Sequence, residues 1–194
     1  MWAKVTVNKD TLEEISSFLS TKRMRLLKTI GLRAVSNTLL QAIIIHPGLR
    51  TIDMHANLHT DLSKSNPNLL ANALGRLEFV SIFKAHLTKD QQDALMAKLM
   101  SGSCIKDLNI GDTDLSSLDP QIFCNAMSRV ETLGLYWTDL TEEQLTKLLL
   151  KVVEGSKLSN INIFTDVVVN KDLSRQVAEK IGRKNFSIRQ NFVR

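Results

Sequence analysis

Apolar residues recur along the chain in one spacing: apolar, two others, apolar, one other, apolar. The pattern occurs at Trp2/Val5/Val7, Leu27/Ile30/Leu32, Leu49/Ile52/Met54, Leu77/Val80/Ile82, Ile105/Leu108/Ile110, Val130/Leu133/Leu135 and Leu158/Ile161/Ile163, with a last, shortened copy at Phe186/Ile188. The close of each copy alternates as a short strand with one buried face. A fourth apolar residue, Leu12, Leu87, Leu115, Leu140 or Val168, follows five positions later. Helix-start signals come next. Thr11 with Glu14, Thr88 with Gln91 and Thr141 with Gln144 match the capping box, in which a hydroxyl and a side chain three residues on satisfy each other's backbone N–H groups. Leu95 and Leu99, Phe123 and Met127, and Leu148 and Val152 then fall four apart, so each pair shares the helix face that packs on the strands. Gly102 and Gly155 stand where such helices should stop.

A longer repeat is superimposed. Residues 58–110 align with 111–163 without a gap, and at this offset of 53 the identical pairs begin at Thr60, Asp61, Leu62, Ser63, Pro67, Asn72, Ala73, Arg76, Glu78, Leu87, Thr88, Gln91, Leu95, Lys98, Gly102, Ser103, Asn109 and Ile110. That is far above chance and marks a duplication. Each strand-plus-helix unit of about 25 residues has an apolar side it cannot bury alone, so the units must stack, which predicts a solenoid.

Ile105-Lys-Asp-Leu108-Asn-Ile110-Gly-Asp-Thr113-Asp-Leu115 resembles the leucine-rich repeat, in which Asn, Cys or Thr stands three places after the third apolar residue; Asn57, Thr113 and Thr138 fit that place. Repeat length and full helices are similar to the ribonuclease-inhibitor-like class, shared by NOD-like receptors, the Ran GTPase-activating protein and tropomodulin. The resemblance covers nearly the whole chain. It implies an α/β fold: one domain over residues 1–194, a curved right-handed array of about seven or eight repeats with parallel strands on the concave face and helices on the convex one. It also implies protein recognition. Residues 54–62 carry about three extra residues relative to the second block, and the repeat from Leu27 to Gly48 is short, so the array should be irregular there.

Alternation then sorts the side chains. The residue after the third apolar position gives the column Asn8, Arg33, His55, Phe83, Gly111, Tyr136, Phe164 and Arg189, pointing away from the helices. With Phe79 and Trp137, five of the chain's ten aromatic residues are expected on that face or its rim, where a bland surface would be polar. Aromatic anchors dominate protein interfaces. Phe79, Phe83, Tyr136, Trp137 and Phe164 are therefore the expected partner-binding residues, flanked by Arg33, His55, Asp107 and Asn160 for selectivity.

Composition removes other classes. The longest apolar run, Leu39 to Ile45 broken by Gln41, is too short to cross a bilayer, and the start has no stretch long enough for a secretory signal. With only two cysteines, an intracellular, cytoplasmic chain is expected. The four histidines (His46, His55, His59, His86) show no metal-ligand spacing, no glycine-rich phosphate loop occurs, and Cys104 and Cys124 read as small core residues. No catalytic residue, metal or cofactor is expected. A net charge of +5 gathers Lys22, Arg23, Arg25, Lys28 and Arg33 near one end and Lys180, Arg183, Lys184, Arg189 and Arg194 near the other; the residues around Lys22 and Lys180 end helices, where they offset the dipole, so nucleic acid is not an expected partner. The expectation is a non-enzymatic interaction module, monomeric or weakly self-associating through its end repeats. Its rivals are a fragment or regulatory domain of a larger sensor and a small-GTPase regulator similar to the Ran activator.

Overall fold

The structure, a computed structural model, describes residues 4–7, 12–20, 27–32, 35–54 and 60–190. It forms two compact units, Met1–Ile105 and Lys106–Arg194. In the first, strands β1 (Lys4–Val7), β2 (Thr29–Leu32), β3 (Thr51–Met54) and β5 (Phe79–Phe83) pair in parallel in that order, and the short β4 (Thr60–Asp61) pairs with β6 (Ala85–His86). Helices α1 (Leu12–Ser20), α2 (Asn37–Ile45), α3 (Pro67–Gly75) and α4 (Lys89–Gly102) alternate with them. The second unit repeats the plan: β7 (Asp107–Gly111), α5 (Pro120–Met127), β8 (Thr132–Tyr136), α6 (Glu142–Glu154), β9 (Asn160–Thr165), α7 (Lys171–Ile181), a 3-10 turn at Arg183–Asn185 and β10 (Phe186–Gln190). Its four strands are parallel and pair in chain order. All eight spaced motifs thus lead into strands, in an α/β fold of parallel strands alternating with helices.

Strands added in chain order through right-handed crossovers keep their helices on one face. Burial agrees: Leu108, Ile110, Leu133, Leu135, Ile161 and Ile163 are fully buried, whereas Asp107, Asn109, Thr132, Asn160, Asn162 and Phe164 on the other face are half-buried. The core is completed by Phe123, Met127, Leu148 and Val152 in the second unit and by Leu95 and Leu99 in the first, the predicted i, i+4 pairs. Both capping boxes at Thr88/Gln91 and Thr141/Gln144 form, and Gly102 and Gly155 take positive φ at the ends of their helices. Thr11 and Asn57 lie outside the described residues.

The duplication extends to a buried hydrogen-bond device. Gln91 Nε2 donates to the carbonyls of Leu62 (2.6 Å) and Ser65 (2.8 Å), and Gln144 Nε2 donates to those of Leu115 and Leu118 (both 2.8 Å), the same positions 53 residues on. In each case the Oε1 of the same side chain accepts the N–H of the capping threonine, at 3.0 Å and 2.8 Å. One glutamine therefore caps its own helix and satisfies the turn that precedes the helix before it.

Three expectations are corrected. Val168 is 75% exposed, because α7 begins at Lys171 and leaves the preceding loop in solvent. Cys104 is exposed just past the end of α4; only Cys124 joins the core, at the position equivalent to buried Ala71. Phe83 is buried. Among the described residues no helix is long and apolar enough to cross a membrane.

Candidate functional site

In the second unit, register sets three rows across the face opposite the helices. Asp107, Thr132 and Asn160 form one row; Asn109, Gly134, Asn162 and Ser187 form the next; Gly111, Tyr136, Phe164 and Arg189 form the third. The first two rows are amides, hydroxyls, one glycine and one acid. The third is aromatic and closes with a cation.

Tyr136 and Phe164 are cross-strand neighbours with ring centroids 5.4 Å apart, and Trp137 lies 5.6 Å from Phe164 and 6.5 Å from Tyr136, all tilted by 42–45°. These are favourable separations for aromatic rings, worth about 0.5–1.5 kcal/mol per pair beyond area burial. The Arg189 guanidinium carbon sits 5.2 Å from the Phe164 centroid, a cation–π contact from the next strand. Gly134 makes room: a Cβ there would lie 2.5 Å from Tyr136 Cε2 and would also run into Asn109 Oδ1, so the tyrosine ring reclines across the one position of the second row that has no side chain.

Trp137 follows β8 with φ of 51°, and Lys84 and Asp112 take the same left-handed conformation directly after β5 and β7. For a residue as large as tryptophan this costs about 1–2 kcal/mol, which the two ring contacts offset. Even so, Trp137 is 51% exposed. A tryptophan ring is thus held in a strained turn with half of it in water, and strain of that kind clusters at functional positions.

The structure brings together Tyr136, Trp137 and Phe164 from the expected set. Asp107 and Asn160 begin β7 and β9 and stand four residues, about 13 Å, down their strands from the aromatic row. In the first unit Phe79 is half-buried beside Thr51, and Phe83, expected to project as an anchor, is 9% exposed, so it has too little free surface for that role. Arg33 and His55 lie outside the described residues. Arg189 joins the cluster without having been counted in it; its place in the same column as Tyr136 and Phe164 was the signal. Gly134 is the other supporting residue, visible only once the ring above it is placed.

His46 is buried, and its Nδ1 accepts the N–H groups of Gly48 (3.2 Å) and Leu49 (3.0 Å), shaping the turn into β3. Burial pushes the Cys124 thiol above its usual range and away from the reactive thiolate. The side-chain and backbone bonds from Ser116 to Asp114 Oδ1, at 2.6 and 2.9 Å, hold that carboxyl below its ordinary value. No group of three or more His, Cys, Asp or Glu able to hold a metal occurs among the described residues. Comparison of the chain with protein-family models and with curated proteins finds no match.

Proposed function

We propose that the chain is a leucine-rich-repeat array of the ribonuclease-inhibitor-like class that acts without catalysis, holding a protein partner on the open face of its strands. One observation carries this: Trp137, kept in a left-handed turn and half exposed, packed with Tyr136 and Phe164 into an aromatic platform. Large rings held in place before binding lose little entropy on contact, and truncating such an anchor costs on the order of 2 kcal/mol of affinity. The rows of small polar side chains beside it supply hydrogen-bonding groups of the kind that select a partner. The cytoplasmic setting belongs to the same proposal and is supported by two unpaired cysteines, Cys104 and Cys124.

Affinity capture from cell extract tests the reading. The intact chain is compared with the combined Tyr136→Ala, Trp137→Ala, Phe164→Ala variant, after circular dichroism shows that both are folded. Proteins retained by the first and lost by the second are the expected result, and identical lists would remove the aromatic row as the site.

The edge at β10 favours a second reading, in which the chain associates end to end or continues a longer array. Phe186 and Ile188 are only half-buried there, and Val168 and Val169 line the same groove. Sedimentation that rises with concentration would support it.

A further inference from the structure

The turns that follow β7, β8 and β9 carry a charge opposite to that of the chain. Residues 111–116, 136–143 and 164–170 contain Asp112, Asp114, Asp139, Glu142, Glu143 and Asp166 and no Lys or Arg, in a protein of net charge +5. Helix-start electrostatics account for Glu142 and Glu143, which lie in the first turn of α6, and Asp114 is bonded to Ser116. Asp112, Asp139 and Asp166 lie outside the first turn of any described helix, and all three are exposed. Their backbones join them to the aromatic row. The Asp112 N–H donates to the Tyr136 carbonyl at 2.9 Å, the Trp137 N–H donates to the Phe164 carbonyl at 3.1 Å, and Asp139 and Asp166 each follow Trp137 and Phe164 by two residues.

Resting on the protein-binding reading above, we infer that this edge receives a basic partner segment, whose Lys or Arg side chains lie on the Tyr136 and Trp137 rings and pair with Asp112, Asp139 and Asp166. Ring faces attract cations, and carboxylates beside them fix where the cation comes to rest. The molecule displays half of this chemistry itself, since Arg189 already lies over Phe164. Within the three turns an acidic partner would meet exposed carboxylates, and Arg189, the base nearest in the row, is already engaged with Phe164.

The probe is an eight-residue arginine peptide, with an eight-residue glutamate peptide as control, titrated against a Trp2→Phe variant whose only tryptophan is Trp137. A saturable change in emission with the arginine peptide and none with the glutamate peptide is expected. Asp112→Asn, Asp139→Asn, Asp166→Asn together should weaken binding about tenfold, and Glu154→Gln with Glu179→Gln, exposed acids late in α6 and α7 and outside these turns, should leave it unchanged. No saturable change, or equal affinity in the triple variant and the parent, overturns the inference. The extract capture separates the two failures: partners lost with the aromatic variant while the arginine peptide fails leave the binding face standing and remove only its preference for basic segments.

Discussion

Gln144→Ala probes the repeated glutamine device most directly. The side chain donates from Nε2 to two buried carbonyls and accepts at Oε1 from the Thr141 N–H. The Leu115 carbonyl keeps the Leu118 N–H at 3.0 Å, so its loss is partial, whereas the Leu118 carbonyl loses the donor at 2.8 Å. A stranded buried carbonyl costs about 1–3 kcal/mol, and loss of half a capping box about 1 kcal/mol, so the substitution should destabilise by about 3 kcal/mol. Gln144→Leu keeps most of the volume and removes the same bonds, so it should cost nearly as much, which separates hydrogen bonding from cavity formation. Gln121, whose exposed side chain donates to Asn125 Oδ1 at 3.2 Å, is the control, with a cost below about 0.5 kcal/mol on change to Ala. Urea denaturation followed by Trp137 emission in the Trp2→Phe background measures all three. Because Gln91 makes the same bonds, Gln91→Ala followed by circular dichroism should match Gln144→Ala. A loss below about 1 kcal/mol in Gln144→Ala, or full recovery in Gln144→Leu, would refute the account.

Gly134→Ala should push the Tyr136 ring off its seat, lowering near-ultraviolet circular dichroism from the cluster at a cost of about 1–2 kcal/mol. Trp137→Asn, a residue at ease in the left-handed region, should change stability by less than about 1 kcal/mol in denaturant melts, since relieved strain balances lost ring contacts, yet abolish partner capture. Thiol titration of the native protein near neutral pH should modify Cys104 quickly and Cys124 only after denaturant is added, because Cys104 is exposed while Cys124 is buried and its thiolate disfavoured. Since the folded Asp114 carboxyl ionises below its unfolded range, its contribution is present above about pH 4 and lost as pH falls through the folded value. Asp114→Asn should therefore flatten the stability profile only on that acid side.

The strands were legible because a spacing of apolar residues maps directly onto a buried face, and the capping boxes because their partners lie three residues apart. The second function of Gln91 and Gln144 was not, since their carbonyl partners stand 26 and 29 residues earlier. Phe83 and Tyr136 occupy the same column 53 residues apart, yet one is buried and the other half-buried. Alternation states which way a side chain leaves the strand, and the neighbours that then cover it are a tertiary matter. Cys104 shows the same limit: nearness to a strand in sequence placed it in the core, and the turn after α4 turns it to solvent. Arg189 needed the register of β9 with β10 before its column position became a contact.

Lys84 and Trp137 occupy equivalent places in the duplicated blocks and share the left-handed bend, with φ of 56° and 51°. Neither copy has drifted to glycine or asparagine, the residues that would occupy such a bend most easily. The bend has thus been inherited separately from what it displays, lysine in one block and tryptophan in the other. Such a position is a socket: its contents can be exchanged while the scaffold stays as it is, so a chain built by duplication can acquire a new specificity by a single codon change.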